Sequence, residues 1–83
     1  MNNSLAPKII KTIADELRLD ISQLTLENKP YDIVEWDSIN NTLIFLLIEQ
    51  KFLPGLTFDE YSSCQNIGEL IACIKSYKIK NKK

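Results

Sequence analysis

The sequence predicts an all-α fold: a four-helix bundle with three longer helices, one short helix and a long loop between the first two helices. Three segments repeat apolar residues at spacings of three and four, which is the period of one face of an α-helix. No segment alternates apolar and polar residues over a useful length, so strands are not indicated. The 83 residues, 45% of them hydrophobic, suffice for one core and leave no room for a second.

The first helix is predicted over residues 5–17. Its apolar face carries Ile9, Ile13 and Leu17 at successive fourth positions, with Ile10 beside them. Pro7 is compatible with the first turn, because the N–H that proline lacks would have no helical partner there.

The segment from residue 19 to residue 36 shows no period and is predicted to be a long loop. Asp20 is placed to cap one short turn, and Asn28-Lys29-Pro30 indicates a second turn. Loops of this length are uncommon inside compact domains, and they are often functional or packed onto the core. We expect the apolar residues of the loop to act as its anchors: Ile21, Leu24, Leu26, Ile33 and Val34.

The second helix is predicted to begin at Asp37 or Ser38, because either side chain can cap it. It continues to about Phe52, and Pro54-Gly55 then stops it. Its apolar residues occupy two roughly opposite arcs. One arc is expected in the core: Ile44, Phe45, Ile48 and Phe52. The other is expected to be a docking surface, unless the loop covers it: Ile39, Leu43, Leu46 and Leu47.

The last two helices are predicted from capping-box spacings. Thr57 precedes Glu60 by three residues and opens a short helix of about one turn. Asn66 precedes Glu69 in the same way and opens a helix that continues to about Tyr77. The apolar residues of this last helix recur at helical spacing: Ile67, Leu70, Ile71 and Ile74.

Charge is unevenly distributed along the chain. Five of the ten basic residues lie in the last nine positions, and residues 1–74 carry five basic against eleven acidic residues. An acidic body repels phosphate backbones, so nucleic acid is not an expected partner. The domain is predicted over residues 1–77, and the Lys-rich residues 78–83 are expected to form a disordered tail.

The residue types present argue against an enzyme. The chain has no histidine, which excludes a Ser-His-Asp triad, a Cys-His pair and histidine-containing zinc sites. Cys64 and Cys73 lack the spacing of a metal site, and we interpret both as buried small hydrophobic residues, with a disulfide as the alternative. No apolar segment is long enough for a signal peptide or a membrane span, so we expect a cytoplasmic protein that is not embedded in a membrane.

Ser38 is the candidate site residue. In Glu35-Trp36-Asp37-Ser38-Ile39 it stands at the start of the second helix. Unpaired N–H groups and the positive end of the helix dipole favour an attached phosphate at such a position. Asp-Ser before an apolar run is also an ordinary helix cap, so the motif alone leaves both interpretations open.

Taken together, these features resemble an acyl carrier protein over roughly residues 9–77. The resemblance is carried by the acidic body, the order of the helices, the motif Asp37-Ser38-Ile39, and Ile67-Gly68-Glu69 opening the last helix. Isoleucine stands where the family usually has leucine. Trp36, immediately before the motif, is similar to stand-alone carriers of specialised pathways.

The resemblance implies that a Mg²⁺-dependent phosphopantetheinyl transferase moves 4′-phosphopantetheine from coenzyme A to Ser38, with Asp37 assisting beside it. Acyl or aminoacyl groups would then be carried as thioesters, loaded by a ligase and passed to acyl-transfer enzymes of lipid or secondary metabolite biosynthesis. The chain itself would be a monomer that catalyses nothing. Cys64 falls where the family lines an acyl pocket, with core packing as the alternative. The implied partner contacts are Ile39, Leu43 and Leu46.

The sequence departs from the family in the charge of its second helix. Fatty-acid carriers have a strongly acidic second helix, whereas residues 40–48 here carry no charge. We therefore expect a dedicated carrier whose partners recognise apolar shape more than charge. The abundance of Lys, Asn and Ile is typical of AT-rich bacterial genomes. The alternative to a carrier is an all-helical protein-interaction module, an adaptor, in which Asp37-Ser38 is only a cap.

Overall fold

The computed structural model describes residues 5–80, excluding the side chains of residue 31 and residues 78–80. Two 3₁₀ turns lie between the first two helices, at Ile21–Gln23 and Pro30–Asp32. The described range contains no strand, which confirms the all-α bundle of three longer helices and one short helix. None of its helices is long and apolar enough to cross a bilayer. The four α-helices are α1 (Leu5–Leu17), α2 (Ser38–Lys51), α3 (Phe58–Ser62) and α4 (Ile67–Lys80).

The core lies among α1, α2 and α4, with α1 packing against both of the others. Its largest fully buried side chains are all isoleucines, two from each of these helices: Ile9, Ile13, Ile44, Ile48, Ile67 and Ile74. All of them come from the apolar faces that the sequence period predicted. Because the branched Cβ leaves isoleucine one strongly preferred rotamer in a helix, these side chains pack in a defined arrangement.

Local polar contacts build the two turns of the loop. Asp20 Oδ1 accepts a hydrogen bond from the N–H of Ser22 at 3.0 Å. Gln23 Oε1 accepts one from the N–H of Asp20 at 2.9 Å, which completes a reciprocal cap. The turn predicted at Asn28-Lys29-Pro30 is present as the second 3₁₀ turn, which Pro30 opens.

The apolar residues of the loop are not all anchors. Leu24 and Trp36 are buried, and Ile33 packs half-buried against the core. The prediction is wrong for three residues, which are exposed: Ile21, Leu26 and Val34. A short turn can present only one of its sides to the core.

Backbone hydrogen bonds also tie the loop to the start of α4. The N–H of Gly68 donates to the carbonyl oxygen of Leu26 at 2.8 Å, and the N–H of Ile67 donates to that of Asn28 at 3.1 Å. First-turn N–H groups have no partner within their own helix, so the loop carbonyls cap α4 and α4 holds the loop. A Cβ on Gly68 would lie 3.2 Å from the Leu26 carbonyl oxygen, so any other residue here would require this loop carbonyl to move by a few tenths of an ångström.

The predicted side-chain caps of α3 and α4 are present. Thr57 Oγ1 accepts from the N–H of Glu60 at 3.2 Å, and Glu60 Oε1 accepts from the N–H of Thr57 at 3.0 Å. Asn66 Oδ1 accepts from the N–H of Glu69 at 2.8 Å. Both short-range spacings in the sequence therefore mark true helix starts.

The C-terminal part of α4 contacts α3. The hydroxyl of Tyr77 donates to Glu60 Oε2, and this hydrogen bond holds the pKa of Glu60 below its usual value. The helix continues past Tyr77, where the sequence predicted its end, and is described as far as Lys80. Residues 81–83 of the expected tail lie outside the described residues, and the division into domain and disordered tail stays a prediction.

Cys64 and Cys73 are free and only half-buried. The prediction of full burial is wrong because Cys64 borders a surface cleft and Cys73 a shallow pocket beside Tyr77. Burial, and then the neighbouring Cys73, raise the pKa of Cys64 to about 11. Cys64 therefore stays a neutral thiol at pH 7 and is a poor nucleophile.

Replacing Gly68 with valine is expected to lower the free energy of unfolding by about 1–3 kcal/mol, because the new side chain would push the Leu26 carbonyl away from its donor. Urea unfolding followed by circular dichroism measures the loss. Ser76→Val, at an exposed position of the same helix, controls for the helix propensity of valine and should cost less than about 1 kcal/mol. Equal losses in the two variants would contradict a role for the close approach at Gly68.

Candidate functional site

Asp37 caps α2, and Ser38 is the first residue of the helix. Oδ1 of Asp37 accepts a hydrogen bond from the N–H of Asn40 at 2.9 Å. Its carbonyl oxygen accepts one from the N–H of Asn41 at 2.8 Å. Of the two possible caps predicted from the sequence, the structure therefore uses Asp37, and the Ser38 hydroxyl is not needed for capping.

The Ser38 hydroxyl is exposed and forms no hydrogen bond with any described residue. The Ser38 backbone is held, because its carbonyl oxygen accepts a hydrogen bond from Thr42 Oγ1 at 3.1 Å. The N–H groups of Ser38 and Ile39 belong to the orphan donors at the positive end of the helix dipole. An anionic group attached to this hydroxyl is therefore favoured electrostatically.

Asn41 joins three elements next to this serine. Its Oδ1 accepts hydrogen bonds from Trp36 Nε1 at 2.9 Å and from the Tyr61 hydroxyl at 2.6 Å. Trp36 and Tyr61 are 6% and 5% exposed, so each donor would lose water without gaining a partner if Asn41 were absent. Burial raises the pKa of Tyr61, which keeps its hydroxyl protonated as a donor. This Asn41 junction, formed by Asn41, Trp36 and Tyr61, holds the end of the loop against α2 and α3.

A second contact holds the loop beside α2. Asn40 Nδ2 donates to the carbonyl oxygen of Glu35 at 2.8 Å. The structural roles of Asn40 and Asn41 were not predicted from the sequence, in which these residues stand out only by their lack of charge. The available signal was Trp36, since a buried indole N–H needs an acceptor and Asn41 offers one a turn into the helix.

A cleft of about 100 Å³ opens between the loop, α2, α3 and α4. The Asn41 junction forms part of its lining, together with Cys64 and Leu70. Its volume is about that of three water molecules in the liquid. Cys64 therefore lines the cleft and also packs, half-buried, against the core, and its family role in an acyl pocket stays a prediction.

The outward arc of α2 carries exposed apolar side chains: Ile39 at 71%, Leu43 at 41% and Leu46 at 43%. These three residues are called the apolar stripe. The loop does not cover them, so that alternative is wrong, while Leu47 of the same arc is half-buried. The inward arc is as predicted: Ile44 and Ile48 are fully buried, and Phe45 and Phe52 pack against the core.

Phe58 of α3 is a further exposed apolar residue near α2, which the sequence analysis did not single out. Its ring centroid lies 5.3 Å from that of Phe45 in an edge-to-face arrangement. Phe58 is 44% exposed. Exposed apolar side chains therefore lie on α3 as well as on α2.

Acidic residues lie on another side of the start of α2. A groove of about 340 Å³ is lined by three acidic residues, Glu16, Glu35 and Asp37, and by one basic residue, Arg18. The charge that is missing from α2 is thus supplied at its N-terminal end by α1 and the loop. Within the described residues, no group of three or more histidine, cysteine, aspartate or glutamate side chains is placed to hold a metal ion.

Comparison with known proteins identifies relatives that match most of the chain. The protein named acyl carrier protein MbtL from Mycolicibacterium paratuberculosis is 29% identical over 72 residues, which cover 87% of this chain and 81% of the relative. The protein of the same name from Mycobacterium sp. strain MCS is 27% identical over 75 residues, covering 90% and 84%. That of Mycobacterium tuberculosis is 25% identical over 72 residues, covering 87% and 86%. No protein-family model matches the chain, and no solved structure matches it significantly.

Replacing Asn41 with leucine is expected to lower the free energy of unfolding by about 2–4 kcal/mol, because two buried donors lose their acceptor. Trp36 is the single tryptophan, so its emission reports directly on the junction and should shift to longer wavelength. Tyr61→Phe removes one of the two donors and should cost about 1 kcal/mol with little change in emission. An unchanged Trp36 emission in Asn41→Leu would contradict the role of the junction.

Proposed function

We propose, on the premise that this chain is a member of the acyl carrier protein family, which its relatives and its four-helix fold support, that Ser38 is the attachment site of 4′-phosphopantetheine. When bound, this group would supply the thiol that holds an acyl or aminoacyl group as a thioester. Acyl carrier proteins carry groups for other enzymes and are not catalysts, so the chain is not an enzyme.

The main support for this proposal is that Asp37 caps the helix while the Ser38 hydroxyl does not. Asp37 caps the helix through its carboxylate, while the neighbouring hydroxyl is exposed and forms no hydrogen bond within the described chain. A serine that served only as a cap would instead accept a hydrogen bond from a first-turn N–H. Ser38 therefore fits a phosphodiester linkage, because its hydroxyl can react without loss of the helix start.

The surroundings of Ser38 hold its backbone while leaving its hydroxyl accessible. The Asn41 junction and the contact between Asn40 and the Glu35 carbonyl hold the preceding loop, and α2 holds the serine itself. A modifying enzyme would meet this hydroxyl in one defined position, so less conformational freedom is lost on binding. Asp37 lies beside it, and we assign it the role of assisting the transferase.

Partner enzymes are proposed to dock on the apolar stripe. Ile39, Leu43 and Leu46 together form an exposed surface on α2 next to Ser38, and residues 40–48 add no charge to it. Burial of such a surface in an interface is favourable without electrostatic steering. The proposed partners are a phosphopantetheinyl transferase, an acyl- or aminoacyl-loading ligase and acyl-transfer enzymes.

The proposed compartment, oligomeric state and pathway of this carrier are those expected from the sequence. We place the carrier in the cytoplasm, as a monomer, in a dedicated bacterial pathway of lipid or secondary metabolite synthesis. Neutral α2 supports a dedicated set of partners over the generic enzymes of fatty-acid synthesis, whose carriers have an acidic second helix.

Incubation with coenzyme A, Mg²⁺ and a broad-specificity phosphopantetheinyl transferase is expected to add one phosphopantetheine to the wild-type chain and none to Ser38→Ala. Intact mass measures the modification, and Ser76→Ala, at another exposed serine, should still be modified. Ser38→Ala should unfold within about 0.5 kcal/mol of the wild type, whereas Asp37→Ala should lose about 0.5–2 kcal/mol as a true cap.

Modification of Ser38→Ala would reject the assignment of Ser38. A folded wild type that transferases from several sources leave unmodified would reject the carrier function. The adaptor would then become the better interpretation, with the apolar stripe as its binding surface.

Replacing Leu43 with glutamate is expected to lower the transferase kcat/KM by about tenfold, because the new carboxylate would have to leave water in the interface. Folding should be little affected, since Leu43 is already 41% exposed. Gln50→Glu adds the same charge at an exposed polar position of α2 and should change kcat/KM by less than about twofold. Equal losses in both variants would show that added charge alone weakens docking, against a role for the stripe.

A further inference from the structure

A second groove lies at the opposite end of α2 from Ser38. It has a volume of about 300 Å³ and is formed by α1 and the last turn of α2. We call it the basic groove, because three ammonium groups surround it. It is lined by Lys8, Lys11, Thr12, Asp15, Lys51 and Phe52.

The basic groove collects most of the positive charge of the chain body. Residues 1–74 contain five basic residues, and three of them are Lys8, Lys11 and Lys51. Only one of the eleven acidic residues, Asp15, lines the groove. The groove is therefore locally positive on a molecule whose body is acidic overall.

The one internal ion pair at the groove is weak. Lys11 Nζ lies 3.2 Å from Asp15 Oδ2, but the two side chains are 71% and 66% exposed. Exposed pairs of this kind contribute little and exchange readily with other partners. Within the described residues, Lys8 and Lys51 form no ion pair, so their charges are available to a partner.

Helix stability does not account for all three lysines. Lys51 lies in the last turn of α2, where a cation is favoured by the helix dipole. Lys8 lies in the first turn of α1, where the dipole disfavours a cation and favours an acidic residue, yet α1 has no acidic residue there. The dipole of the described helix therefore gives Lys8 no stabilisation.

The floor of the groove adds little polar binding capacity. The Thr12 side chain is 8% exposed, and its hydroxyl donates to the carbonyl oxygen of Lys8 at 2.9 Å. Phe52 is half-buried and packs against the core. The groove thus combines exposed lysine side chains with one aromatic side chain, Phe52, which suits carboxylates carried on short methylene stems.

We propose that the basic groove binds an acidic segment of a partner protein. α2 rises about 1.5 Å per residue, so Lys51 lies about 20 Å along the helix from Ser38. A partner bound in the groove would leave Ser38 and its hydroxyl accessible. The groove lined by Glu16, Glu35 and Asp37 lies at the Ser38 end of α2, and the basic groove lies at the other end. This separation of charge would also set the orientation in which the partner approaches.

A membrane surface and nucleic acid fit the groove less well. Membrane-surface binding requires exposed apolar residues beside the basic ones, and none of the exposed large apolar residues lies in this groove. The acidic residues that cover the rest of the chain body would repel a nucleic acid backbone. A short acidic peptide segment can contact the lysines of the groove alone.

The test is an NMR titration of the unmodified full-length chain with an acetylated decaglutamate peptide at low ionic strength. Amide shifts are expected to concentrate in the first half of α1 and the end of α2. The double variant Lys8→Glu/Lys51→Glu should weaken binding at least about tenfold, while Asp15→Asn should strengthen it about twofold by freeing Lys11. Lys29→Glu, a charge reversal in the loop away from the groove, should change affinity less than about 1.5-fold, whereas the single variant Lys8→Glu should weaken binding about threefold.

Three results would overturn the proposal. Comparable losses in Lys29→Glu and a single Lys8→Glu variant would show that the peptide senses only net charge. Shifts spread evenly over the surface would show that there is no defined site. Binding of phosphatidylglycerol vesicles through the groove, without binding of the peptide, would assign the groove to a membrane surface. Because the unmodified chain is used, the result does not depend on whether Ser38 is an attachment site.

Discussion

The arrangement of the site depends on the two hydrogen bonds that the Asn41 side chain accepts. A single amide oxygen accepts from Trp36 in the loop and from Tyr61 in α3, while Asn41 itself belongs to α2. Loss of this oxygen would leave two buried donors without partners, a large penalty for a domain of this size. The position of the loop end and part of the wall of the cleft beside it follow from this junction.

Three sides of α2 have different surroundings: the core, α3 and solvent. Ile44 and Ile48 face the core, Phe45 and Asn41 contact α3, and the apolar stripe faces solvent. A helix that is apolar on opposite sides is normally enclosed, but a bundle of this size has too few elements to enclose it. An exposed apolar side of this kind is what the proposed docking of partner enzymes on the apolar stripe requires.

Short-range features were predicted well because their causes lie within a few residues of each other. The caps at Asp20, Thr57 and Asn66 are contacts over two or three residues, and their spacing is visible in the sequence. The helical periods placed the buried isoleucines correctly for the same reason. The Asn41–Tyr61 contact spans twenty residues and the Gly68–Leu26 contact still more, so no local pattern could indicate them. The exposure of Val34 likewise depends on how the loop lies on the helices.

By itself, the sequence determined the order of the helices, their starts, the faces that form the core and the serine at the start of α2. These depend on backbone hydrogen bonding and on period, which act between near neighbours. Only the tertiary structure decided that Asp37 rather than Ser38 is the cap, that the loop leaves the apolar stripe uncovered, and that lysines from α1 and α2 meet in one groove. The last two outcomes depend on distances between segments far apart in the chain, which are set by packing of the core, whereas the choice of Asp37 as the cap depends on the extended backbone conformation that it adopts at the start of the helix.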